Sequence, residues 1–123
     1  MGTARTIADP WRLSQHLDAL SPDELARLDD AVIALDPEGH IVAITPAAAR
    51  WIGVAAWQAR GRTLTRELGW RFGKDATAAI AAFSDDSAPL STVHAAPDRT
   101  HQRPAAEVAL VRGDRRIYLA LAA

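Results

Sequence analysis

Asp85 stands beside Asp86, and Ser84 precedes His94 by ten residues; in these groupings the chain comes nearest to a catalytic pair. General acid–base work needs carboxyls placed to exchange a proton with a substrate, whereas adjacent aspartates followed by Ser87 and Pro89 read as a solvated helix breaker. A serine nucleophile needs a base and a sharp elbow that exposes its hydroxyl, and no Gly-x-Ser-x-Gly run is present. The histidines are His16, His40, His94 and His101, and no two of them have the i, i+4 helical or i, i+2 strand spacing that converges on a metal. His40 and His101 read as exposed turn residues. There is no cysteine, which removes disulfides, thiolate metal sites and a thiol nucleophile together. Arg60, Arg62, Arg66 and Arg71 form a basic cluster, but Glu67 and Asp75 dilute it and aromatic residues interleave with it, so it reads as a solvated face and not as a nucleic-acid surface. The expectation is a protein that is not an enzyme and that carries no metal and no cofactor.

The bulk properties agree. The 123 residues suit one domain with a real core. A net charge of −1, with 24% charged and 49% hydrophobic residues, creates no global field for nucleic acid or an anionic membrane. No apolar run reaches signal-peptide or membrane-spanning length, so the expected location is the cytoplasm.

Whatever the chain binds must be positioned by its regular elements. Three segments begin with a capping residue and a proline, Asp9-Pro10, Ser21-Pro22 and Thr45-Pro46, a pattern that starts helices. The first helix is expected to run to about Leu20, with Trp11, Leu13, Leu17 and Leu20 near helical spacing. The second should run to about Asp29, with Leu25 and Leu28 inward, and Glu24 completes a capping box with Ser21. AVIALD (31–36) and HIVAIT (40–45) are β-branched runs around Pro37-Glu38-Gly39, which predicts a hairpin. Thr45 then caps a helix that Gly53 stops. Short helical pieces divided by Gly61, Gly69 and Gly73 follow, then a stronger helix over 75–85 with Ala76, Ala79, Ile80 and Phe83 on one face. PLSTVHAA (89–96), PAAEVALVR (104–112) and RRIYLALA (115–122) read as strands, the last two joined at Gly113-Asp114. The long connection between the strand pair and the strand triplet must cover one face of a single antiparallel sheet. VALV and IYLALA are apolar on both faces, so the N-terminal helices are expected to cover the other. The fold class is therefore α+β, a five-stranded antiparallel sheet with helices on one face and an N-terminal helical cap, residues 1–30, on the other; residues 31–123 form the core.

The run LDPEGHIVAITPAAARWIG (35–53), with its acidic residue, glycine turn, strand, alanine-rich helix and stopping glycine, resembles the opening of a PAS domain, and GRTLTREL (61–68) resembles the segment that follows. The order and spacing of elements are most similar to the photoactive yellow protein branch of that superfamily. The resemblance implies a chromophore cysteine just after GRTLTREL, where this chain has LGWRFGKD (68–75). It implies a tyrosine and a glutamate where Ile44 and Ala48 stand, and an asparagine where Thr45 stands. The cysteine of a flavin-binding helix is missing as well. Haem-binding relatives take their histidine from the long helix, and DATAAIAAFSD has none, which leaves His94 the weaker candidate.

What the resemblance leaves is binding without chemistry. Trp51, Trp57, Trp70 and Phe72 fall in the segment that encloses a ligand in PAS domains. Either these rings fill the volume, since each large aromatic buries about 150–250 Å², or the segment walls an apolar pocket lined by Ile33, Ile44, Ala48, Trp51, Leu64, Leu68 and Trp70. The helix of TPAAARWIG serves as a wall, with Trp51 and Ile52 inward and Arg50 outward. The expected role is a non-catalytic sensory or regulatory module that signals through conformational or dimer changes, with or without a small apolar ligand. The alternative is a protein–protein interaction or dimerisation module with a filled pocket; nucleic acid and membrane are not expected partners.

Overall fold

A computed structural model describes residues 15–68, 72–84, 90–95 and 106–122. A helical turn at 15–18 leads to Ser21, whose Oγ accepts from the Glu24 N–H at 3.2 Å while Glu24 Oε1 accepts from the Ser21 N–H at 2.8 Å. This capping box starts α1, Pro22–Leu25. The helix is shorter than the sequence pattern suggests. From Arg27 the N–H groups reach back three residues instead of four, to the carbonyls of Glu24 and Leu25, so the coil tightens and ends before the two aspartates at 29 and 30. Leu28 still packs inward.

Strands β1 (Val32–Leu35) and β2 (Ile41–Ile44) form the expected hairpin. Its turn is organised by Asp36, whose Oδ1 accepts from the Glu38 and His40 N–H groups, each at 2.9 Å. Thr45, almost fully buried, then has two tasks: Oγ1 accepts from the Ala48 N–H to cap α2 (Pro46–Ile52) and from the Val32 N–H at 2.9 Å, fixing the helix start to β1. Gly53, at φ 74°, takes the left-handed conformation that ends α2. Two single-turn helices follow, α3 (Ala56–Ala59) and α4 (Leu64–Glu67), and then α5 (Lys74–Ser84). Strands β3 (Leu90–Ala95), β4 (Ala106–Arg112) and β5 (Ile117–Ala122) complete one antiparallel sheet of order β2-β1-β5-β4-β3.

Because side chains alternate along a strand, the apolar runs of β1, β4 and β5 supply two cores. Ile33, Val108, Leu110, Ile117 and Leu119 face a cluster with Ala48, Ile52, Leu64, Phe72, Ile80 and Phe83 from the helical layer. Ala34, Val111 and Tyr118 face the other way, with Ala43 of β2, onto Leu17 and Leu25 of the N-terminal segment, where Leu20 and Leu28 also pack. Both faces of the sheet are thus covered, as its two-sided apolar strands require. Trp11 and Leu13, and the Asp9-Pro10 helix start, lie outside the described residues.

Candidate functional site

The hairpin and α2 bring most of the sequence-predicted lining together. Ile33, Ile44, Ala48, Leu64 and Leu68 are buried in the one cluster beneath the helical layer, and Trp51 is half-buried against it. The Trp51 ring meets that of Phe72 with centroids 5.4 Å apart and planes tilted by 39°, a favourable offset for two aromatic quadrupoles. Ile52 is buried and Arg50 exposed, in the sense expected of a wall helix. Trp70 lies outside the described residues.

Trp57 corrects the reading of the aromatics. It is 78% exposed and encloses nothing. On the short helix α3 only one face reaches the core, and Ala56 and Ala59, three apart, occupy it, which turns the tryptophan outward.

A cavity of about 450 Å³ opens where the start of α5 meets β3, lined by Phe72, Gly73, Lys74, Asp75, Ala76, Ala79 and Val93. None of the six described residues named from the sequence lines it, but Phe72 joins it to their cluster, since the same buried side chain contacts Trp51. Its walls come from residues about twenty positions apart, a juxtaposition that helical and strand periodicity do not encode.

A polar contact on the opposite face also escaped sequence reasoning. Tyr118, wholly buried, donates its hydroxyl to Asp18 Oδ1 at 2.5 Å, while Asp18 Oδ2 accepts from the Asp114 N–H at 2.7 Å. Arg116 donates to the Leu20 carbonyl at 2.9 Å. These bonds tie the N-terminal segment to the β4–β5 hairpin. A Cβ at Gly113 would run into the Asp18 carboxylate, so the approach needs glycine there. Burial and then the bond to the Asp18 carboxylate push the Tyr118 hydroxyl well above the ordinary tyrosine pKa, keeping it a neutral donor. The one sequence signal was a single tyrosine within an otherwise aliphatic strand.

The other chemical candidates are placed as follows. His40 Nδ1 is 3.5 Å from Asp36 Oδ2, and with Glu38 the two sit at the solvent-facing hairpin turn. Arg60 and Arg66 are exposed; Arg62 pairs with Glu67 at 3.2 Å and donates to the Gln58 carbonyl at 2.7 Å. The Glu67 carboxyl lies below its ordinary range, chiefly because the Thr63 N–H donates to it. His16 is exposed. Arg71, Asp85, Asp86, His101 and the side chains of Ser84 and His94 lie outside the described residues.

No protein-family model and no curated protein matches the chain. Solved structures do. The photoactive yellow protein domain of the sensor histidine kinase Ppr from Rhodospirillum centenum superposes with a TM-score of 0.65 at 13% identity, over 89% of this chain and 99% of that one. The PAS domain of the Cronobacter turicensis RpfR quorum-sensing receptor, in complex with BDSF, gives 0.58 at 9% identity, over 79% and 95%. The E. coli DhaR(N)–DhaL complex gives 0.56 at 26% identity, over 91% of this chain but 36% of that one. The fold is that of the PAS domains, including the photoactive yellow protein domain, without the chromophore cysteine. Ile44 and Ala48, which the sequence resemblance sets where that branch carries a tyrosine and a glutamate, are both buried.

Proposed function

We propose that the chain is a non-catalytic PAS-type sensory or regulatory module that binds a small, largely apolar molecule on the helical side of its sheet and signals through the N-terminal segment on the other side. One observation carries this reading: along β5, Leu119 belongs to the cluster beneath the helices while its neighbour Tyr118 belongs to the cluster under the N-terminal segment and bonds to Asp18. A shift of the strand on one side therefore moves a polar contact on the other. A ligand changes the state of such a device only by favouring one arrangement over another. In this reading Ile33, Ile44, Ala48, Trp51, Leu64, Leu68 and Trp70 form the apolar wall behind the cavity, residues 1–30 act as the moving cap on a core of 31–123, and the protein works in the cytoplasm without nucleic-acid or membrane partners. The RpfR domain, a quorum-sensing receptor in complex with BDSF, supports the small-molecule part.

A second reading is an interaction or dimerisation module with a filled interior. It draws on Trp57, the one large hydrophobic side chain among the described residues that stands out into solvent, and on the likeness to the DhaR(N)–DhaL complex. Native mass spectrometry of protein purified gently from a rich lysate separates the two. The sensor reading expects an added small-molecule mass that denaturation strips off; a bare mass in every charge state, with no thermal response to small apolar compounds, favours the interaction module.

A further inference from the structure

We propose that the helical side of the molecule, around Trp57, docks the acidic N-terminal side of a second copy of this chain. The proposal rests on the interaction reading above and names its partner. Along the full sequence the charges are unevenly placed: residues 46–84 carry six Arg and Lys against two acidic residues, residues 1–45 carry eight acidic residues against three arginines, and residues 85–123 carry five of each. The net charge of −1 therefore conceals a dipole. Residues 46–84 supply α2 to α5 on one side of the sheet, and within the acidic stretch residues 15–30 lie on the other, held there through Leu17 and Leu25. The sheet thus separates charges of opposite sign. Trp57, exposed on α3 with the exposed Arg60 three positions on, gives the basic side an apolar anchor, and Trp and Arg are the residue types that most often carry the energy of an interface. The acidic side offers the half-buried Leu20 and Leu28 in the same stretch as the exposed Asp23 and Asp29. Single exposed ion pairs contribute little, but two surfaces of opposite sign set the orientation of an encounter and make it depend on salt. Because the two faces lie on opposite sides of the sheet, one pair of copies cannot make both contacts at once. The contact is heterologous, and species larger than a dimer follow.

The test is sedimentation velocity of the full chain over a range of concentrations, at low salt and near 1 M salt, where the Debye length falls from about 30 Å at 0.01 M to about 3 Å. The wild type should grow in mass with concentration at low salt and dissociate at high salt. Trp57→Ala should weaken the association by about tenfold. Two charge reversals, Arg60→Glu with Arg66→Glu and Asp23→Lys with Asp29→Lys, should each abolish it, and an equimolar mixture of the two double variants should restore it, because each reversed face then meets its complement. All four positions are exposed, and recovery in the mixture verifies that both variants are folded. Association that survives both reversals overturns the proposal while the dimerisation reading stands on some other surface. Association lost with the arginines but untouched by the aspartate reversal overturns the N-terminal face as the occupant. A wild type that stays monomeric at low salt overturns the proposal and the dimerisation reading together.

Discussion

The weight of the apolar cluster rests unequally on its two aromatic rings. Phe72 is fully buried, so Phe72→Ala removes a ring that is shielded from water and should cost about 3–5 kcal/mol. Trp51 is half-buried, and part of its surface already meets water. Trp51→Ala should therefore cost less than the Phe72 change, about 2 kcal/mol, a discount on the fully buried value. Urea denaturation of both variants checks the order; a Trp51 loss equal to or greater than the Phe72 loss would show that the tryptophan is the central plug. The aromatic residues also show what residue types alone reveal. Trp51 and Trp57 read alike in sequence, six positions apart, and only the short α3, with alanines on its inner face, decides that one packs and the other stands in solvent.

At the scale of elements, local signals were legible and distant ones were not. Ser21 with Glu24, Thr45 with Gly53, and the two hairpin turns each act within a few residues, so their types and spacing announce them. The capping box has a consequence in acid. The Ser21 N–H, bonding the Glu24 carboxylate, holds that carboxyl below the ordinary glutamate value of 4.5. Because its folded value is lowered, the stabilisation it gives is fully present above that ordinary value and is lost as pH falls through the folded one. The stability difference between wild type and Glu24→Ala should accordingly be constant near neutral pH and shrink below pH 4.5. Urea midpoints measured across that range would refute this if the difference stayed flat into acid. A second consequence concerns the sheet face beneath the N-terminal segment, where Ala34, Ala43, Val111 and Tyr118 lie against Leu17 and Leu25. Deleting residues 1–30 should bare that face and produce concentration-dependent association in light scattering. A truncated protein that stays monomeric with unchanged stability would show that the segment covers nothing of energetic importance.

For the whole molecule, the sheet works as a partition. The two-sided apolar pattern of VALV and IYLALA was enough to predict that both faces are covered, and the order of elements was enough to suggest the PAS fold. The Asp18–Tyr118 bond joins residues 100 positions apart, and the cavity joins α5 to β3; such meetings depend on the folded path and leave no periodic trace in the chain. The central claim is that the two sides of this partition are energetically linked through β5. A double-mutant cycle tests it most directly, with Phe72→Leu perturbing the cavity side and Tyr118→Phe deleting the bond to Asp18, each stability measured by chemical denaturation. Independent sites add to within about 0.3–0.5 kcal/mol. The account predicts a coupling energy above about 0.5 kcal/mol, whereas strict additivity of the two losses would contradict it.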